Sequence, residues 1–345
     1  MDNGVHSTTF RTTPKTILDA YRGRTILVTG GRGFIGSALT QSLSDINCKL
    51  ILLDQSPAGV WRPTGQQAEV LIQQGDVAVR KTWEMVLSGV DTVFHLAARE
   101  YHYRTEYDPE RDLTFNALPT LHLLEVCRSQ QYRPQIVFAS SANVFGVAAS
   151  LPVNEDTRDD PLTMWAIHKL VAEQYFRLYA QQFGLSTITL RLANAYGPTA
   201  RRAVMTRMVI NNMIAKALEG KALTTYVNRG CKRDFVFLED VVQAFLLAGQ
   251  HGGTAKSPMY VIGGGEDKTI EEVWHLIAQT IGTHTGRDIP VGCDESVEIE
   301  PVEWRHFTAD TGRFRCDTGW EPKTTLTQGI DITVRTFLSD SRQFT

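Results

Sequence analysis

Short apolar runs alternate along the first half of the chain with stretches whose apolar residues return every three or four positions. "TILVTG" (25–30), "KLILLD" (49–54), "DTVFHLAA" (91–98) and "QIVFASS" (135–141) have the length of buried strands. Between them "FIGSALTQSLSDI" and "ALPTLHLLEVCRSQ" have helical spacing. Residues 163–183 hold no glycine or proline and place Trp165, Lys169, Ala172 and Phe176 at helical intervals, which predicts one long helix. "STITLRLANAYGP" (186–198) then returns to the sheet. The β-α-β-α order predicts an α/β fold of Rossmann type, with a doubly wound parallel sheet.

Beyond Pro198 the pattern is less regular. It predicts helices at 203–219, 239–249 and 269–281 and a strand at "MYVIG" (259–263), with most loop character at 283–310. The expected organisation is a loose N-terminal arm (1–23), a dinucleotide-binding domain (24–198, the chain returning to its sheet near 235–263) and a smaller C-terminal α/β substrate lobe (mainly 199–345). There is no internal repeat.

Composition narrows the function classes. Of 345 residues, 35 are basic and 38 acidic, a formal charge of −3, so no global field draws the chain to nucleic acid or an anionic membrane. The five cysteines are scattered and never spaced C-x-x-C, which fits neither a disulfide framework nor a zinc site. No metal site is expected, and the cytoplasm is the expected compartment. The opening "MDNGVHSTTFRTTPKTILDAYRG" has no apolar leader core, and no later run reaches the roughly 18 apolar residues of a membrane helix.

The clearest chemistry lies in "TGGRGFIG". Gly30, Gly33 and Gly36 follow a strand and open a helix as G-x-x-G-x-x-G. The first two permit a tight turn and close backbone approach to a diphosphate, which the helix N-terminus stabilises; the third lets helix and strand pack closely. Asp54 ends the second strand 18 residues after Gly36. A carboxylate there accepts from both ribose hydroxyls and repels a 2′-phosphate, so NAD is expected over NADP. Asp76 in "GDV" is placed to meet the adenine amino group.

With "HLAA", Asn116 in "LTFN", "FASSANVFG", "RLANAYGP", "RDFVFLEDV" and "GWEPKTTLTQGI", the chain from about residue 24 to 335 resembles an extended short-chain dehydrogenase/reductase of the NAD-dependent sugar-nucleotide epimerase/dehydratase kind. The resemblance implies a cofactor site of Gly30, Gly33, Phe34, Ile35, Gly36, Asp54, Asp76, Val77, Leu96, Ala97, Ala98, Asn116 and Lys169. It implies a nucleotide-sugar substrate touched by Asn194 and Arg233, and a homodimer built on "ALPTLHLLEVCRSQ" and the 163–183 helix. Structurally, Arg233 has Asp234 or Glu239 as alternative partners. A second phosphate arginine common in such enzymes is missing: Glu300 stands near its place, with Arg305 five residues later. Ala142 and Asn143 stand where sugar dehydratases carry an acidic pair, which excludes dehydration by that route.

The family's catalytic group joins a serine or threonine, a tyrosine and a lysine. Ser141 and Lys169 match, but Trp165 occupies the tyrosine's place, and none of the ten tyrosines has a lysine four residues on. An indole N–H donates a hydrogen bond but does not exchange its proton at ordinary pH. Three readings stay open: Trp165 is packing in a non-catalytic dinucleotide sensor, another group has taken over proton transfer, or the reaction needs an apolar wall there. Candidates for takeover are Tyr101 and Tyr103, with Glu100 and His102 beside them in "REYHYRTEY" (99–107). His168 points about 100° away from Lys169 on the helix and is the weaker candidate.

Overall fold

The computed structural model describes residues 13–56, 61–99, 108–251 and 259–341. In chain order the first half holds α1 (Lys15–Asp19), β1 (Thr25–Thr29), α2 (Phe34–Leu43), β2 (Lys49–Asp54), β3 (Glu69–Gln74), α3 (Arg80–Val86), β4 (Thr92–His95), α4 (Pro109–Asn116), α5 (Leu118–Ser129), β5 (Gln135–Ser141), α6 (Met164–Phe183) and β6 (Thr187–Leu192). The second half holds β7 (Asn194–Tyr196), α7 (Val209–Leu218), β8 (Leu223–Tyr226), β9 (Lys232–Arg233), β10 (Phe235–Phe237), α8 (Leu238–Gln250), β11 (Met259–Ile262), β12 (Lys268–Thr269), α9 (Ile270–Thr285), β13 (Val291–Asp294), α10 (Gly312–Thr318) and α11 (Leu326–Ser341).

Seven strands form one sheet in the order β11-β6-β5-β4-β1-β2-β3, every pair parallel. The apolar runs are continuous because both faces are covered. On β1 and β2, Ile26, Val28, Leu50 and Leu52 join one core cluster, while Leu27, Ile51 and Leu53 join the other with Trp83, Leu123 and Phe176. The chain winds outward from β1 to β3 and then crosses back to β4. The strand order therefore reverses between β1 and β4, and this opens a crevice at their carboxyl ends, the place where doubly wound sheets bind ligands. A separate core of Tyr196, Ile210, Ile214, Val273, Ile277 and Ile330 holds the C-terminal lobe around the small pairs β7–β10 and β8–β13.

Three expectations change. Residues 13–23 are not a loose arm: Tyr21 is fully buried, packs on Phe94 and donates its hydroxyl to Leu246 O at 2.5 Å. Residues 1–12 lie outside the described residues. The helix expected over 203–219 is two pieces, a 3-10 turn at Arg202–Arg207 and α7, separated by extended Met208 (φ −87°, ψ 144°). The break has a packing cause, since Val204 buries against Phe34 and Leu238 whereas Ile210 and Ile214 bury in the lobe core. Within 283–310, expected as loop, β13 pairs with β8. Helices α1, α3, α4, α10 and α11 were also not expected.

Candidate active site

The glycine turn leaves β1 with Gly30 at φ +63°, and Gly33 N–H donates to Gly30 O at 2.8 Å. A Cβ on Gly36 would lie 2.1 Å from Gly30 O, so only glycine lets α2 sit this close to the turn. Gly33 is the N-cap of α2, and no side chain caps that end. Phe34 and Ile35 form its first turn, where backbone N–H groups and the helix dipole suit an anion. At the end of β2, Asp54 accepts from Ser56 N at 2.9 Å and from Arg32 N at 3.3 Å. Asp76 accepts from Ala78 N at 2.8 Å, and Val77 O accepts from the Trp83 indole at 2.8 Å. These residues, with the Gly30–Gly36 cradle that a methyl group would fill, fit a bound dinucleotide.

Across the crevice, the Leu96 and Ala97 N–H groups donate to Thr29 Oγ1 at 3.2 and 3.1 Å, tying β4's exit to the end of β1; Ala98 beyond them is exposed. Asn116 holds the next residue through both backbone groups, accepting from Arg99 N at 3.0 Å and donating to Arg99 O at 2.8 Å. Its amide thus fixes the chain that leads into residues 100–107. Glu100, Tyr101, His102 and Tyr103 themselves lie outside the described residues.

Ser141 ends β5 and accepts from Asn143 N at 3.2 Å, capping a 3-10 turn at Ala142–Phe145. Thr163 caps α6 by accepting from Ala166 N, which places Trp165 in the first turn and Lys169 one turn on. The Lys169 ammonium is buried and donates to Ala139 O at 2.8 Å, two residues before Ser141. It lies 4.6 Å from the Phe138 ring centroid and 5.5 Å from that of Trp165, so both rings face the cation. The Trp165 indole N–H is shielded from solvent and has no hydrogen-bond partner. His95, stacked on Phe138, is held neutral: burial first, and then the Lys169 charge, push its pKa down to about 3. His168 turns away and pairs with Asp112 on α4 at 2.5 Å.

A buried network unmarked by any motif supports this end of the sheet. Ser140 donates to Glu173 Oε1, Arg191 binds the same carboxylate through Nη2 at 2.6 Å, and Arg191 Nη1 reaches Asp159 at 2.5 Å. Glu173 follows Lys169 by one turn, and that spacing was its one signal in the sequence. Desolvation raises the Glu173 pKa and the Arg191 hydrogen bond opposes the rise.

On the substrate side, Asn194 donates to Asp234 O at 3.0 Å, stitching β7 to β10. Arg233 is buried, and its fork is engaged within the protein: it donates to Lys232 O, to Arg305 O, to Glu303 O at 2.8 Å and to Glu303 Oε2 at 3.2 Å. Its carboxylate partner is therefore Glu303, rather than Asp234 or Glu239. Asp234 instead accepts backbone N–H from Ala309, Gly264 and Gly265, and burial pushes its pKa up to about 6 against those three donors. Two further residues escaped the sequence reading. Arg32 is fully buried, with its fork on Ser56 O and Trp61 O, and Arg201 donates to Arg32 O at 2.7 Å. Among the described residues no group of three or more His, Cys, Asp or Glu could hold a metal, and no helix is long and apolar enough to cross a membrane.

Sheet order, glycine turn, strand-end acid and the Ser141–Lys169 pair define an NAD-dependent enzyme of the extended short-chain dehydrogenase/reductase class. Within that class the chain belongs to the NAD dependent epimerase/dehydratase family, whose model matches residues 26–263. Over 324 residues it is 29% identical to a putative UDP-glucose 4-epimerase of Methanocaldococcus jannaschii, covering 92% of this chain and 99% of the relative. The UDP-glucose 4-epimerase of Thermotoga maritima, solved with UDP-glucose, superposes with a TM-score of 0.79 at 26% identity, covering 92% of this chain and 99% of that one. MoeE5, solved with UDP-glucose and NAD, gives 0.78 at 28% identity and the same coverage.

Proposed function

We propose that this protein is a nucleotide-sugar epimerase, or a closely related oxidoreductase, whose active site works without the tyrosine of its class. The observation that carries the reading is the Lys169 ammonium, held against Ala139 O two residues from Ser141 and faced by Trp165. A cation fixed beside a hydroxyl in the sheet crevice is chemistry that a mere dinucleotide sensor does not need. The nucleotide sugars named with the related epimerases support the substrate class.

NAD, when bound, supplies a reversible hydride acceptor. Around it Gly30, Gly33 and Gly36, the α2 N-terminus, Asp54 and Asp76 hold the dinucleotide, with Val77, Leu96, Ala97 and Ala98 lining its seat. Lys169 contributes positive charge and a donor to the ribose, and Ser141 orients the reacting hydroxyl. Oxidising a carbinol also requires loss of the hydroxyl proton. Trp165 does not take it, the Lys169 ammonium has no lone pair, and His95 is bonded to Thr29 Oγ1 at 2.8 Å beneath the lysine. We therefore assign the proton to Tyr101 or Tyr103, with Glu100 the lesser candidate, on the ground that their stretch follows the end of β4 in sequence, where enzymes of this class place substrate contacts. Trp165 closes the pocket to water and points a neutral donor toward a substrate oxygen.

A second reading, an oxidoreductase for a substrate without a diphosphate, is favoured by one observation: Arg233 is already paired with Glu303. Incubating the purified protein with a panel of nucleotide sugars, while following products and the absorbance of bound NADH, separates the readings. Product from at least one supports the first; none from any, with NAD bound, overturns it. Assembly belongs to the same proposal. The exposed Met164, Ile167 and Leu178 on α6 share one side of that helix and give it an apolar outer face, which α5 and α6 would bury in a homodimeric four-helix bundle. Sedimentation at micromolar concentration is expected to give the dimer mass, and an active monomer would contradict it.

A further inference from the structure

The segment that follows β7 runs over the glycine turn and is fixed there at several points. Asn211 clamps Gly197 through both backbone groups, at 3.0 and 2.7 Å. Thr199 donates to Phe34 O at 3.0 Å and shares a 2.7 Å hydrogen bond with Ser37, so it is seated on the first turns of α2. Val204 then buries against Phe34. Arg201 lies between these anchors, and its Nη1 donates at 2.7 Å to the carbonyl of Arg32, the residue just before Gly33. Its Nε is shielded from solvent and unpartnered.

The charges around Arg201 are one-sided. No carboxylate pairs with it among the described residues, and it repels a second cation, Arg32. Arg201 lowers the pKa of Arg32, after burial and against the opposing pull of Asp54. The Arg32 fork is turned onto Ser56 O and Trp61 O, so Arg201 is the guanidinium that faces the turn. Two arginines and one aspartate leave a net charge of +1 at the mouth of an uncapped helix, a surplus that an anion relieves.

We propose that Arg201 is a cofactor-binding residue contributed by the segment after β7, which clamps the diphosphate of NAD from the side opposite the α2 N-terminus. The clamp links the two halves of the site: the chain that carries Asn194 on β7 continues within a few residues into the group that retains the cofactor.

The test uses the full-length protein freed of nucleotide, as wild type, Arg201→Ala and Arg201→Lys, titrated with ADP-ribose and with adenosine. ADP-ribose carries the diphosphate; adenosine does not. Arg201→Ala is expected to weaken ADP-ribose about 10-fold or more, to leave adenosine within about two-fold, and to flatten the salt dependence of ADP-ribose binding, with Arg201→Lys intermediate. Unchanged ADP-ribose affinity overturns the proposal, also when nucleotide-sugar affinity falls, because the arginine then serves the substrate. An equal loss for both ligands overturns it too, because the arginine then only supports the fold.

Discussion

At the glycine-turn end of the crevice donors stay unspent, whereas around Arg233 the polar groups close on one another. The α2 N-terminus is uncapped and Arg201 Nε has no partner. Arg233, expected from the resemblance to hold a substrate phosphate, is bound through both terminal nitrogens to Glu303, Arg305 and Lys232. The contrast teaches that the glycine-turn end of the crevice leaves donors unspent, whereas the Arg233 end spends its donors within the protein.

The largest expected effect comes from Asp234, which anchors the closed end. Its folded pKa of about 6 lies above the ordinary aspartate value, so its contribution is complete below about pH 4 and is lost as pH rises through about 6. Against Asp234→Asn as reference, chemical denaturation should show wild type losing about 3 kcal/mol of relative stability between pH 4 and pH 7. A pH-independent difference would mean that the three backbone donors outweigh burial and keep the group ionised throughout.

At the glycine-turn end, Asp54 should favour NAD over NADP by on the order of 10²-fold, and Asp54→Ala should narrow that ratio. Arg32 does not reverse the preference, because its fork is engaged by Ser56 O and Trp61 O. Equal affinities in wild type, measured by titration, would contradict the assignment. The smallest effect sharpens the contrast directly. Glu303→Ala removes the carboxylate that neutralises Arg233 while its backbone acceptors remain, so the affinity for UDP should rise several-fold if the substrate carries a diphosphate. No change would favour the substrate without one.

What was legible in the sequence follows the same division. The β1 turn, its three glycines and Asp54 are read within a few residues of one another, and the apolar runs of β1, β2, β4 and β5 specify a sheet covered on both faces. Pairings between distant residues left no local trace. Glu303 meets Arg233 across 70 positions, and Arg201 meets Arg32 across 169. The break at Met208 depends on Val204 and Ile210 belonging to different cores, which periodicity within one segment does not reveal.

The central claim is that proton transfer has left the Trp165 position for the segment after β4. Turnover of wild type, Tyr101→Phe, Tyr103→Phe and Trp165→Tyr on the nucleotide sugar found by the panel tests it most directly, with NAD affinity measured alongside. One of the two phenylalanine variants should lower kcat by about 10² or more with NAD affinity unchanged, and Trp165→Tyr should not raise activity. If neither phenylalanine variant slows turnover while Trp165→Tyr raises it strongly, the proton still belongs at position 165 and the account is wrong.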